Sequence, residues 1–390
     1  MGGTQSLNLA HYHRASLPPN QENNASIKVV SLDEILGVLD RLFATGEGLA
    51  KILDSQKKAY EAVSNGGCTL CPVQTLGQPG PPVAHHLQAG QGAQVCIKTG
   101  YYKPDEGNSA EEDVFVTKVA GGGGDQPGNV GMLLVFSQRT MKIKTILNDE
   151  GILTEVRTAA ATVLASELLC DFHSVEKVGI VGTGIQAIWQ LRLLNLKFKQ
   201  LGLPLPEVIV KWAMRPGHKQ FQPKKVMTFI QETMGKSACP LDREWAVGGR
   251  LSLFQPDGER FRRCRLIHTL TAGRSPQLAP EDLPGDLTGC HLSCVGADAP
   301  GKRELPAALV ASELHPPTLV CDSLAQSLER GEFQHHPALF RAGRVRELGA
   351  VLGAGPDERA RLREAFTIFD TSGVATQDVG IAQLVAGLVP

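Results

Sequence analysis

The run Val178-Gly179-Ile180-Val181-Gly182-Thr183-Gly184-Ile185-Gln186-Ala187 decides how the rest of this sequence is read. Its first residues are a short apolar strand, which runs without a spacer into G-x-G-x-x-A. A helical period then follows through Ile188, Leu191, Leu194 and Leu196. Strand, glycine turn and helix in immediate succession are the context that gives this pattern meaning. Gly182 permits a tight turn, Gly184 lets backbone approach a pyrophosphate, and Ala187 allows the helix to pack closely on the strand. The helix start offers free N–H groups and partial positive charge. The expectation is a dinucleotide site with contacts at Gly182 and Gly184.

Downstream, VIVKWAMR (208–215) reads as the next strand, where an acid would bind a ribose 2′-hydroxyl. It offers Lys211 and Arg215 instead, cations suited to a 2′-phosphate. NAD(P) is therefore expected, with NADP slightly preferred and Arg215 as the reader. From 176 to 350 short apolar strands alternate with helical stretches, the βαβ pattern of a parallel sheet.

Upstream the pattern differs. Residues 1–27 are polar and Pro-containing and read as a flexible tail. Ser31 and Glu34 form a capping box ahead of Ile35, Leu39 and Leu42, so a helix begins there. A second helix spans roughly 47–63 and stops at Gly66-Gly67. VCIKTGYY (95–102), VFVTKVA (114–120) and GMLLVFS (131–137) are strands, and ILTEVRTAAATVLASELLC (152–170) is a helix. The chain ends with FTIFD (366–370), a turn at Thr371-Ser372-Gly373 and a helix to about Leu388.

The 390 residues are 42% hydrophobic and 20% charged, with net charge −1, a globular balance that gives no electrostatic case for nucleic acid or a membrane surface. No apolar run is long enough to span a bilayer, so a soluble, cytoplasmic protein is expected. Nine scattered cysteines, several in apolar runs, read as reduced thiols. The lone Cys68-x-x-Cys71 lacks a second pair, and no metal site is expected. Gly2 with Ser6 fits the loose N-myristoylation pattern and is read as coincidence.

Three segments carry unusual charges. Arg157-Thr158 opens an Ala-rich helix, where a cation opposes the dipole unless an anion partners it. Lys118 lies in an otherwise apolar strand. LSCVGADAPGKREL (292–305) is a buried-type strand that ends in a loop carrying Asp298 and Lys302, at the strand edge where ligands bind.

ILTEVRTAAA, VGIVGTGIQA, LIHTLTAGRSP (266–276), VGADAPGKREL, VCDSLAQSLERGE (320–332) and FDTSGVATQD (369–378) occur in one order. With them the sequence resembles the ornithine cyclodeaminase/mu-crystallin family over roughly 30–390. The resemblance implies an α/β protein, a Rossmann-type parallel sheet domain (161–366) inserted into an α+β dimerisation and substrate domain (28–160 plus 367–390). It implies a homodimer acting on a small amino or imino acid. Lys118 and Arg157 would hold the substrate carboxylate, and Asp298 would move a proton on its nitrogen. Arg157 and Thr158 would lie near the cofactor, Ile185 and Gln186 would lie along its pyrophosphate, Thr271, Val295, Gly296 and Lys302 would line its groove, and Thr371 and Ser372 would close over the nicotinamide.

Imine reductase or amino-acid dehydrogenase chemistry is favoured. A true ornithine cyclodeaminase retaining NAD is one alternative. A non-catalytic binder of NADPH or a small ligand, like mu-crystallin, is the other. No arginine occurs between Arg41 and Arg139, and VCIKTGYY has no acid, so an arginine and a glutamate of the ornithine enzymes are missing.

Overall fold

The computed structural model describes residues 27–77, 94–103, 113–122, 129–211, 250–255 and 260–389. Arg215 lies outside them. Two sheets organise the described residues.

The first sheet begins with β1 (Lys28–Val30). Helices α1 (Leu32–Phe43) and α2 (Gly46–Ser64) follow. The α1 capping box forms as the sequence indicates, with Glu34 accepting from the Ser31 backbone N–H at 2.8 Å. Strands β2 (Cys68–Leu70), β3 (Gln74–Gly77), β4 (Gln94–Tyr102), β5 (Val114–Gly122), β6 (Asn129–Ser137) and β7 (Ile143–Leu147) complete it. The order is β1-β7-β6-β5-β4-β2, with β3 also paired to β4. All pairings are antiparallel except β1 with β7.

Helix α3 (Ile152–Leu169) leads into the second sheet. That sheet comprises β8 (Lys177–Val181), β9 (Glu207–Lys211), β10 (Leu251–Leu253), β11 (Leu266–Thr269), β12 (His291–Cys294), β13 (Thr318–Cys321), β14 (Val345–Glu347) and β15 (Thr367–Asp370). Its order is β10-β9-β8-β11-β12-β15-β13-β14, and every pairing is parallel. The order reverses between β8 and β11, the switch point at which open α/β sheets bind ligands. Helix α4 (Ile185–Gln200) follows β8, and α5 (Leu324–Arg330) lies between β13 and β14.

Two expected boundaries move. Residues 367–370 were assigned with the C-terminal helix to the first unit, but β15 sits inside the parallel sheet between β12 and β13. All four of its residues are buried, which a central parallel strand requires. Only α6 (Ala375–Leu388) returns to the first sheet, packing on β4, β5 and α2. The division at 160/161 cuts through the continuous α3, which is buried on nearly all sides. Its Ala159-Ala160-Ala161 run lets neighbours approach closely, and Ser166 meets His268 of β11 at 3.0 Å.

Among the described residues no helix is long and apolar enough to cross a membrane. The eight described cysteines are free thiols, and no cluster of metal-ligating groups occurs among the described residues.

Candidate functional site

The site lies where the two sheets meet, and its centre is a buried group of charges. In the β4–β5 hairpin Lys98 stands directly opposite Lys118, so both ammonium groups share one face. Both are buried, and like charges opposed across strands repel. Asp378, on the first turns of α6, offsets that repulsion. Its Oδ1 accepts from Lys118 Nζ at 2.9 Å and lies 3.2 Å from Arg157 Nε. Arg157 is 4% exposed, and its Nη1 donates to Gln377 Oε1 at 3.2 Å.

Arg157 thus does have the anionic partner that its place in α3 demands, and the partner comes from the protein. The other Asp378 oxygen is buried without a hydrogen-bond partner. Burial pushes the Asp378 carboxyl up, but Lys118, Arg157 and Lys98 together hold it below the usual carboxylate range.

Lys98 is tied differently. Its Nζ donates to the carbonyls of Ser372 (3.0 Å) and Gly373 (2.5 Å) in the turn joining β15 to α6. Burial lowers its ammonium to about 7, and the neighbouring Lys118 and Arg157 push in the same direction. Gly373 has φ +81°, and a Cβ there would fall 2.5 Å from Arg157 Nη1. Only glycine lets the turn pass beneath the guanidinium. Gly373 N–H donates to Asp322 at 2.7 Å, and Gln326 donates to Ser372 Oγ (2.8 Å) and Gly373 O (2.7 Å).

Asp298 sits in the loop after β12, its side chain open to solvent on one side. Its carboxylate pairs with Lys302 Nζ at 2.5 Å, and Arg330 Nε donates to its backbone carbonyl at 2.8 Å. Partial desolvation raises this half-exposed group, whereas Lys302 foremost, then Lys98 and Arg330, hold it below its ordinary range. Asp298 is therefore within electrostatic reach of the centre, but pairs with neither Lys118 nor Arg157 among the described contacts. Lys302, expected along the cofactor groove, is paired with Asp298 four positions before it in the same loop.

The glycine turn has the shape its sequence indicates. Gly182 adopts φ +118°, with Leu270 O 2.9 Å from where a Cβ would be. Gly184 caps α4 without a side-chain hydrogen bond, and no atom lies within 4 Å of its missing Cβ. An uncapped sixteen-residue helix facing open space fits a pyrophosphate. Ile185 is 39% exposed at this end. The Gln186 side chain turns away, donating to Glu155 O of α3 at 3.2 Å, so only its main chain can face a phosphate.

Other expected groove residues are committed within the protein. Thr158 Oγ1 bonds Thr154 O one turn back at 2.7 Å. Thr371 Oγ1 donates to Asp322 at 3.2 Å. Thr271 gives both its N–H (2.6 Å) and its hydroxyl (3.0 Å) to Glu304. The same buried carboxylate accepts from Thr269 Oγ1 and from the N–H groups of Val295 (3.1 Å) and Gly296 (2.7 Å). Glu304 thereby fixes the ends of β11 and β12 against each other. A Cβ on Gly296 would lie 1.9 Å from Thr271 O, so the loops could not cross. At the ribose-reading strand Lys211 is also occupied, by Asp282 at 2.5 Å and by the Phe254 ring at 4.4 Å.

Reading the sequence brought Lys118 and Arg157 to the centre but missed Lys98, Asp378 and Glu304. Asp378 and Glu304 lie inside quoted motifs.

A sequence model of the ornithine cyclodeaminase/mu-crystallin family matches residues 255–388. The iminosuccinate reductase of Paracoccus denitrificans is 30% identical over 240 residues, 61% of this chain and 64% of that one, just under two thirds of its length. The alanine dehydrogenase of Archaeoglobus fulgidus is 28% identical over 256 residues, 65% of this chain and 69% of that one. Among solved structures, the Thermococcus litoralis Δ1-pyrroline-2-carboxylate reductase in complex with NADH and L-proline superposes with a TM-score of 0.67. It is 17% identical, covering 93% of this chain and 97% of that one, which shows a shared fold.

Proposed function

We propose that this chain, matched over residues 255–388 by the ornithine cyclodeaminase/mu-crystallin family model, is a member of that family and an NAD(P)-dependent enzyme that reduces the C=N bond of a small imino acid or oxidises the matching amine. One observation carries this: Lys118 and Arg157 meet at the carboxylate of Asp378, with Lys98 directly across from Lys118 and the loop bearing Asp298 within electrostatic reach. Such a cluster offers a substrate carboxylate charge-assisted hydrogen-bond donors. The relatives named as an iminosuccinate reductase and an alanine dehydrogenase support the same chemistry.

A nicotinamide dinucleotide held at Gly182, Gly184 and the start of α4 would supply or accept the hydride. The chain's own residues do the rest. Lys118 and Arg157 grip the substrate carboxylate and orient the C–N carbon. Asp298 carries the proton to or from the substrate nitrogen, and its partner Lys302 sets when that carboxylate is free to do so. Thr271, Val295 and Gly296 shape the groove from the β11 and β12 ends, with Glu304 beneath them. NADP remains the preferred cofactor, on the absence of an acid at the end of β9 and on Arg215. A homodimer is the proposed assembly.

The test is absorbance at 340 nm with NADPH or NADH and a cyclic imine or a 2-oxo acid plus ammonia. Steady oxidation supports reductase chemistry. Ammonia release from ornithine or lysine without net cofactor turnover would refute it in favour of cyclodeamination.

A further inference from the structure

We propose that Lys98 is a specificity-determining residue that selects imino or oxo acids bearing a second carboxylate and rejects those with a side-chain ammonium. The inference rests on the reductase reading and narrows it to a substrate class.

The β4–β5 register places Lys98 directly across from Lys118, with Cβ atoms about 5 Å apart in such a pair. Two ammonium side chains leaving the same face side by side suit the two carboxylates of a short diacid. Lys118 and Arg157 share Asp378, whereas no described carboxylate forms an ion pair with Lys98. An ammonium has three donors, and two of those on Lys98 go to Ser372 and Gly373 carbonyls. The third is left for a ligand. A substrate ammonium in the same place would meet three buried cations, Lys98, Lys118 and Arg157, and lose its own hydration.

The charged groups facing Lys98 are Lys118 from β5, Arg157 from α3, Asp378 from α6, Asp298 from the loop after β12 and Asp322 after β13. Burial, Lys118 and Arg157 lower Lys98 to about 7, and an arriving anion opposes that. Diacid binding therefore takes up a proton, and affinity falls as pH is raised from 7 to 9.

The full chain is assayed with NADPH and NADH on imines formed from ammonia with oxaloacetate, 2-oxoglutarate, pyruvate or 2-oxobutyrate. In parallel, the affinities of succinate and propionate are measured by calorimetry at pH 7 and 9. The expected result is a kcat/KM at least about tenfold higher for a diacid than for a monoacid, with succinate bound more tightly at pH 7 than at pH 9. Lys98→Met should collapse that ratio toward one through KM, and Lys98→Arg should preserve it. Equal turnover of diacids and monoacids, or a ratio unchanged in Lys98→Met, overturns the inference and leaves the reductase reading standing. Absence of cofactor oxidation with every imine overturns the reductase reading, and absence of succinate binding as well overturns both.

Discussion

Replacing Asp378 with asparagine removes the one carboxylate in contact with both Lys118 and Arg157 while keeping its size. At 2.9 and 3.2 Å, and with an effective dielectric constant of about 20, each contact has a gross attraction of about 5 kcal/mol. Much of that is offset because the wild-type carboxylate must itself be desolvated. The variant, however, leaves Lys118 and Arg157 buried at 2% and 4% exposure without their ion-pair partner. Breaking a buried pair from one side costs about 3–5 kcal/mol, and that is the expected loss at pH 7. The assay is urea unfolding of both proteins, followed across pH. In the wild type Asp378 titrates below its unfolded value, so its stabilisation is present above about pH 4 and is lost as pH falls through the folded pKa. In the variant Lys118 loses the charge that counters its burial, so its folded pKa drops further below the unfolded value of about 10.4. The unfolded variant then binds more protons than the folded one in the alkaline range, so its stability rises with pH. The gap to wild type should therefore narrow from pH 7 to 9. A deficit under about 1 kcal/mol at pH 7, or a gap that widens with pH, refutes the reasoning.

Gly184→Ala should stay within about 0.5 kcal/mol of wild-type stability, since no atom lies near its Cβ, yet weaken NADPH binding by on the order of tenfold in a fluorescence titration. Gly182→Ala, by contrast, should destabilise the protein by about 1–3 kcal/mol through its φ of +118° and Leu270 O, seen as a lower unfolding midpoint. Gly373→Ala forces a Cβ against Arg157 Nη1, and kcat/KM should fall at least tenfold in the 340 nm assay. Lys302→Met removes the strongest influence holding Asp298 down, so the acid limb of the pH–rate profile should move to higher pH; an unmoved limb argues that another group titrates there.

What the sequence makes legible is local. The Ser31–Glu34 box, the three central strands of the first sheet, the Gly182 turn and α4 depend on residues within a few positions of one another. Lys118 and Arg157 stood out because a cation in an apolar strand and one at a helix start each conflict with local physics. The resolution of that conflict was not local: Asp378 is 260 positions from Lys118. The place of β15 was equally hidden, because FTIFD reads as a buried strand in either sheet. Lys98 lay beyond reach for a related reason. Its position opposite Lys118 depends on the register of a hairpin whose connection holds no pattern to fix it. Lys211 looked free for a phosphate because its captor, Asp282, follows β11.

The turn Thr371-Ser372-Gly373 explains why these long-range contacts come as a set. Thr371 N–H bonds Cys294 O at 3.0 Å and so extends the parallel sheet. Two residues later Gly373 bears on Arg157 of α3, and α6 begins, carrying Asp378 to Lys118. Lys98 of the first sheet and Gln326 of α5 both hold the carbonyl of Gly373. The join between the sheets and the carboxylate grip are thus built from the same few atoms. A ligand carboxylate reaching Lys98, Lys118 or Arg157 neutralises charge that otherwise opposes packing at this join. Linkage then requires that such anions stabilise the whole chain in proportion to their affinity, by about 2.7 kcal/mol at a hundredfold excess over Kd. Specificity in this protein is accordingly measurable as stability, without any turnover. The rank order of small diacids and monoacids in unfolding experiments should match their rank as substrates.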